Sequence, residues 1–353
     1  MRVNGRYLPM PASARVLDFN QTIMICGAGG FIGGHIVGAL RRQGFRHLRA
    51  VDVKPLSDWY QSWVDVENFS VDLRIKDACM AVTAGVDHVI NLAADMGGMG
   101  FISTHKTDCM LNVLINTHLL SAAKERGAAT YFFASSACVY SRLLQSTTDE
   151  VRLREDNAWP ALPEEGYGFE KLFGEELCRF FREEHGIAAS VARYHNVYGP
   201  FGAYDGGREK APAALCRKVA EAKLSDRREI EIWGDGNQRR SFLHVDDAVE
   251  GTLQLIRSSQ PGPLNIGSEE SVTINELVDL IEEIAGMRCK RIYQEQQPQG
   301  VRGRCSDNQL MRELTGWEPT VKLRTGLEQT YRWIFDCLST NRPVLATSRI
   351  STV

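Results

Sequence analysis

The sequence predicts an α/β fold: a doubly wound parallel sheet wrapped by helices, with a smaller C-terminal α/β lobe. Three observations carry this expectation. Strand-like and helix-like segments alternate from residue 22 onward. The first of these strands runs straight into a cluster of glycines that opens a helix. The length, 353 residues, suits two domains at roughly 150 residues each.

The elements follow in order. TIMIC (22–26) is a short β-branched strand, and residues 31–44 carry helical period. HLRAVD (47–52) and FSVDL (69–73) read as the second and third strands. HVINLA (88–93) and TYFFASS (130–136) are apolar runs of strand length. Between them, 108–127 has helical period and ends in glycine. Residues 167–186 form an amphipathic helix that leads into a strand at 187–194. The pattern then loosens into a stretch rich in glycine, proline and charge at 199–218. Short strands at 229–234 and 241–245, a helix at 275–286 and a last helix at 324–338 complete the chain. This reading places one domain at 21–190 and a second lobe over 191–338, with some chain returning to the first domain. Residues 1–20 and 339–353 read as flexible tails.

Composition narrows the function. Apolar residues are 43% and charged residues 24%, ordinary for a globular protein. Lys plus Arg is 41 and Asp plus Glu 44, a formal charge of −3. That gives no bulk attraction to nucleic acid or an anionic membrane, but leaves room for a local basic pocket. No apolar run is long enough to span a bilayer, and the N-terminus lacks the apolar core of a secretory signal. The nine cysteines are odd in number and include no C-x-x-C. They point to a reducing cytoplasm rather than to disulfides or a metal site.

The glycine cluster is Gly27-Ala28-Gly29-Gly30-Phe31-Ile32-Gly33. Its spacing supplies a tight turn, room for a pyrophosphate against backbone, and a helix N-terminus with free N–H groups. Asp52 ends the second strand, where a carboxylate accepts from ribose hydroxyls and repels a 2′-phosphate, so NAD is expected rather than NADP. Asp72 and Leu73 should flank the adenine, and Ala93 joins the same cofactor set. Gly27, Gly30, Phe31, Ile32 and Gly33 complete it. Tyr167-Gly-Phe-Glu-Lys171 places a tyrosine and a lysine on one helix face. An ammonium there favours the phenolate, so the phenol can serve as general base and the lysine can reach the nicotinamide ribose.

With the preceding Ser135-Ser136, this set resembles the extended short-chain dehydrogenase/reductase family, over roughly residues 20–335. The resemblance implies a Rossmann fold, NAD and a nucleotide-sugar substrate, with Ser136 hydrogen-bonding the reacting hydroxyl. Five segments narrow it further: Ser135–Tyr140, Asn91–Phe101, Gly206–Ala214, Trp233–Phe242 and Gly300–Asp307. Together with Arg193–Gly202, they closely resemble the GDP-mannose 3,5-epimerase family. That resemblance implies transient oxidation at C4 and inversion at C5 and C3, with Tyr167 acting at C4, Cys138 as base and Lys210 as acid. It also implies a substrate set of Met96, Gly97, Ser136, Ala137, Cys138, Asn196, Glu209, Lys210, Ala211, Lys218, Gln238, Arg240 and Arg302. Two positions depart from the family pattern: Ser141 replaces a proline and Arg239 a threonine. A nucleotide-sugar 4-epimerase or dehydratase, and a non-catalytic NAD-binding protein, are the alternatives. A homodimer through the helices at 108–127 and 167–186 is expected, with Leu111, Leu114, Phe173 and Phe180 as candidate contacts.

Overall fold

The structure, a computed structural model, describes residues 17–149, 151–297 and 300–340, and the backbone of 2–3 and 6–7. Most of the two expected tails lies outside the described residues. At their edges Leu17 is buried in the core, and the last helix runs through Thr340.

The chain begins with strand β1 (Ile23–Cys26), helix α1 (Phe31–Arg42), β2 (Leu48–Asp52), β3 (Glu67–Ser70), α2 (Lys76–Val82) and β4 (His88–Asn91). Then come α3 (Met99–Thr104), α4 (Lys106–Met110), α5 (Asn112–Arg126), β5 (Thr130–Ser136) and the short β6 (Arg152–Leu153). They are followed by α6 (Tyr167–His185), β7 (Ala188–Tyr194), α7 (Ala211–Ser225), β8 (Glu229–Trp233) and β9 (Arg239–Ser241). The rest is α8 (Val245–Ser258), β10 (Leu264–Ile266), β11 (Ser271–Thr273), α9 (Ile274–Ala285), β12 (Lys290–Gln294), β13 (Gly303–Ser306), α10 (Gln309–Thr315) and α11 (Leu323–Thr340).

Seven strands form one parallel sheet in the order β10-β7-β5-β4-β1-β2-β3. β1 and β4 are buried at every position, as expected for strands covered on both faces. One face is filled by α1 and α8, through Ile36, Leu40, Leu253 and Ile256. The other is filled by α2, α5 and α6, through Val82, Leu119, Leu120 and Cys178. The strand order reverses between β1 and β4, which opens a crevice at their C-terminal ends.

A second lobe packs α7, α9 and α11 around Val219, Leu277, Ile281 and Leu327. A four-stranded sheet, β11-β9-β13-β6, lies beside the crevice. Its edge strand β6 comes from the first half of the chain, so this small sheet ties the halves together. α8, β10 and α10 return to the main sheet, where Ile266, Met311 and Trp317 join its core.

Three expected elements differ. The third strand ends at Ser70, and residues beyond it turn toward α2. The expected helix at 108–127 is broken at Leu111 into α4 and α5. The expected strand at 241–245 is split: Ser241 ends β9, and Leu243–His244 pairs separately with Val197–Tyr198 before the His244 imidazole accepts from the Asp246 N–H and starts α8. Among the described residues no helix is long and apolar enough to cross a membrane.

Candidate active site

The glycine turn packs backbone on backbone. Gly27 has φ +81°, and a Cβ there would lie 2.9 Å from the Ala93 nitrogen at the end of β4. A Cβ on Gly33 would lie 2.1 Å from the Gly27 carbonyl. Only glycine allows this approach. α1 therefore starts without a side-chain cap and without an acidic residue in its first turn. Its first N–H groups and positive dipole end are left for an anion, which suits a pyrophosphate. Asp52 is buried at the tip of β2 and accepts the Lys54 N–H at 3.0 Å. Phe31 and Ile32 open α1, half-buried. Asp72 lies past the end of β3, where Arg74 bonds it at 2.7 Å and holds its carboxyl below the usual range. Its neighbour Leu73 is buried in the core. This backbone cradle beside a ribose-height carboxylate fits a dinucleotide.

Ser136, Cys138, Tyr167 and Lys171 converge where β5 meets α6. The Ser136 hydroxyl accepts the Cys138 N–H at 3.2 Å and caps a one-turn helix over Ala137–Val139. Ala137 is buried in that turn. The first turn of α6 presses directly onto it: a Cβ on Gly168 would lie 2.4 Å from the Cys138 carbonyl. The Glu164 N–H also donates to that carbonyl, at 2.9 Å. Lys171 is buried, with Nζ 5.4 Å from the Tyr167 ring centre and 3.4 Å from a Glu170 carboxylate oxygen. The expected lowering of the phenol by Lys171 does not dominate here. Burial pushes Tyr167 well above its ordinary value, with Cys138 and Glu170 adding to it, while the Ser136 hydroxyl works against the rise.

Above Cys138 lies a cluster of cations. The Arg304 guanidinium donates to the Cys138 sulfur at 3.5 Å and to the Gln145 Oε1 at 2.5 Å. The strand register sets Arg240 of β9 directly beside Arg304 of β13. Arg240 donates to the Arg239 and Val301 carbonyls. Burial, with Arg304 and Arg302 adding to it, lowers Arg240 to about 9. Lys210 stands just before α7. Burial pushes its ammonium down, Cys138 holds it up and Arg304 lowers it further. Like charges side by side and out of water are costly unless an anion lies among them. Among the described residues no carboxylate forms an ion pair with Arg304.

The glycine–methionine loop is clasped to the segment that carries Lys210. Gly98 N–H donates to the Arg208 carbonyl, and a Cβ on Gly98 would lie 2.3 Å from the Glu209 carbonyl. A Cβ on Gly97 would lie 3.1 Å from the Arg208 Cα. Arg208 in turn binds Asp95 at 2.6 Å and the Met96 carbonyl at 3.1 Å. Met96, Met99, Phe101, Cys109, Cys138 and Tyr167 share one small apolar cluster. Glu209 and Gln238 each bury an oxygen that has no hydrogen-bond partner in the protein. Ala211 opens α7 beside them.

Three further residues of the expected substrate set make contacts within the protein. Arg302 is ion-paired with Asp235 at 2.9 Å. Lys218 donates to the Glu231 carbonyl at 2.8 Å and lies 6.0 Å from the Trp233 ring centre. Asn196, at φ +35°, donates to the Ser241 carbonyl. The two departures make the following contacts. Ser141 offers its carbonyl to Gln145, and Arg239 donates to the Ser271 carbonyl. His195 is bonded to Asn265 and kept neutral by burial, down to about 3.

Over residues 23–267 the chain matches the NAD dependent epimerase/dehydratase family. The chain belongs to that family. NAD is therefore its cofactor. The chain is 48% identical over 313 residues to GDP-mannose 3,5-epimerase 1 of Oryza sativa subsp. japonica, covering 88% of this chain and 81% of that protein. It is 46% identical over 316 residues to GDP-mannose 3,5-epimerase of Arabidopsis thaliana, covering 89% and 82%. Among solved structures it is similar to UDP-glucuronic acid 4-epimerase from Bacillus cereus in complex with UDP-glucuronic acid and NAD. That likeness has a TM-score of 0.75 and 25% identity, and covers 90% of this chain and 99% of the other.

Two residues of this family member were not singled out from the sequence: Arg304 and Gln145. The R-G-R run at 302–304 offered two arginines, and only the register of β13 on β9 separates them. Gln145 lies in a polar loop with no motif around it.

Proposed function

We propose that the chain epimerises GDP-mannose at C5 and C3, as an isomerase that oxidises and re-reduces C4 within each cycle. The observation that carries this is Cys138 beneath the Arg304 guanidinium and electrostatically coupled to Lys210, adjoining Ser136, Tyr167 and Lys171. A 4-epimerase has no use for a thiol and an ammonium at its sugar site.

Gly27, Gly30, Phe31, Ile32, Gly33, Asp52 and Ala93 hold NAD in this reading, with Tyr167 and Lys171 at its nicotinamide end and Asp72 and Leu73 beside the adenine. When bound, NAD would supply the hydride acceptor for the C4 hydrogen and the donor that restores it. Tyr167 takes the C4 hydroxyl proton, with Ser136 bonded to the same oxygen and Lys171 favouring the phenolate. The C4 ketone acidifies the hydrogens at C3 and C5, because their loss gives an enolate. Cys138 removes the proton on one face, and Arg304 stabilises the sulfur as an anion. Lys210 returns a proton on the opposite face. Burial has already lowered that ammonium, which makes it the stronger acid. Arg240 and Arg304 also suit the diphosphate, whose oxygens match guanidinium forks. The unpartnered Glu209 and Gln238 oxygens accept from substrate groups.

The test is GDP-mannose in D₂O, read by NMR. Deuterium should enter at C5 and C3, and Cys138→Ala should reduce this by about 10³-fold. Exchange retained in that variant, or a change at C4 alone in the wild type, sinks the reading.

The second part of the proposal is a homodimer. Leu111 between α4 and α5, Leu114 on α5, and Phe173 and Phe180 on α6 are each more than one-third exposed, alongside Met110 on α4 and Phe169 on α6. Exposed apolar side chains on neighbouring helices suit an interface. Phe173→Glu should shift the protein to monomer in sedimentation, and an unchanged mass would rule this face out.

A further inference from the structure

We propose that Gln145 is a positioning residue, holding the Arg304 guanidinium on the Cys138 sulfur while leaving its charge uncompensated. The proposal rests on the epimerase reading for its purpose but not for its geometry.

Gln145 is 1% exposed, in the loop between β5 and β6. Every polar group on its side chain is used. Oε1 accepts from Arg304 Nε at 2.5 Å, and Nε2 donates to the Tyr140 carbonyl at 3.3 Å and to the Ser141 carbonyl at 3.2 Å. Those two carbonyls belong to the segment that carries Cys138, so the amide joins the cysteine's own loop to β13. Its backbone carbonyl accepts the Arg302 N–H at 2.8 Å, which fixes β13 a second time. A Cβ on Gly303 would lie 2.7 Å from the Thr147 carbonyl, so the strand rests on the backbone of the same loop.

The choice of an amide has a physical reason. Leucine would leave Arg304 Nε and the Tyr140 carbonyl without these partners, and the Ser141 carbonyl with only the Leu144 N–H. Glutamate would hold Arg304 but neutralise it, taking its charge away from the sulfur. Glutamine accepts from the guanidinium and adds no charge of its own. The other groups that face the thiol are Lys210 before α7, Arg240 on β9 and Tyr167 on α6.

The experiment follows iodoacetamide modification of the Cys138 peptide by mass spectrometry against pH, in the protein without substrate. Gln145→Leu and Gln145→Glu should each slow modification about tenfold near neutrality and move the rising limb of the curve to higher pH. Glutamate also gives up the two bonds to the Tyr140 and Ser141 carbonyls, and a purely structural role would change the rate of that folded variant without moving its curve along the pH axis. Gln145→Asn, which withdraws the amide by one methylene, replaces Gln145→Leu should that variant not fold. A wild-type curve in either folded variant overturns the proposal. Deuterium wash-in from D₂O into GDP-mannose, run on the same proteins, separates the two questions. No wash-in by the wild type overturns the epimerase reading, while the alkylation curves still decide the role of Gln145.

Discussion

Two buried arginines stand in opposite circumstances. Arg193, on β7 inside the main sheet, is 1% exposed and gripped by Glu175 through bonds of 2.9 and 2.7 Å. It also donates to the Glu155 carbonyl at 2.6 Å. Burial works against its charge, but Glu175 overcomes it and holds the guanidinium above its ordinary range. Glu175 also accepts from the Ser135 hydroxyl, one residue from Ser136, so this closed pair braces the end of the strand that carries Ser136. Arg304, in the crevice, is 7% exposed and meets only a thiol and a neutral amide among the described residues. Its neighbour Arg240 is pushed down to about 9. The paired arginine stabilises a fold. The unpaired one leaves its field open, and in the proposed reaction that field meets an anion.

The largest expected effect is on the closed pair. Arg193→Met leaves Glu175 buried without its partner and should cost about 3–5 kcal/mol in urea melts. A loss below about 1 kcal/mol would erase the contrast. Next comes the open arginine. Arg304→Met should lower the rate of deuterium wash-in by about 10²-fold, while stability stays within about 1 kcal/mol of wild type. A large stability loss with normal wash-in would make Arg304 a second structural arginine.

The smallest effect concerns pH in the closed region. His195, bonded to Asn265, is lowered from 6.5 to about 3 by burial. The unfolded chain therefore binds a proton that the folded chain refuses between pH 6.5 and about 3, and stability falls as pH drops through that window. Glu155, raised by burial to about 7, accepts the Asn265 N–H at 2.8 Å and acts in the opposite sense. Between 4.5 and about 7 it is protonated in the fold and ionised when unfolded, so its contribution falls as pH rises. His195→Gln should flatten the acid limb of a Tm–pH curve. An unchanged acid limb would mean that His195 is not the group refusing the proton.

Much of the site was legible because backbone chemistry is written locally. The glycine turn, Asp52 and the Tyr167–Lys171 spacing each state a local geometry, and the fold sets them at one crevice. Ser136 and Cys138 are two residues apart, so the strand end that carries one carries the other. Arg302 and Arg304 show the limit. They are the same residue type two positions apart, and no local rule says which one turns to Asp235 and which to Cys138. Gln145 was silent for a related reason: its three side-chain bonds reach two carbonyls nearby and a guanidinium 159 residues away.

The sequence by itself determined the α/β alternation, the cofactor turn and the tyrosine–lysine pair, because these depend on periodicity, on glycine's freedom and on spacing along one helix. Among the nine thiols, only the family resemblance set Cys138 apart. Only the tertiary structure decided which cations surround that thiol. That outcome depends on the parallel register of β13 against β9 and on a loop amide bridging distant segments. A charge held out of water is defined by what lies across from it in space, and sequence neighbours do not report that.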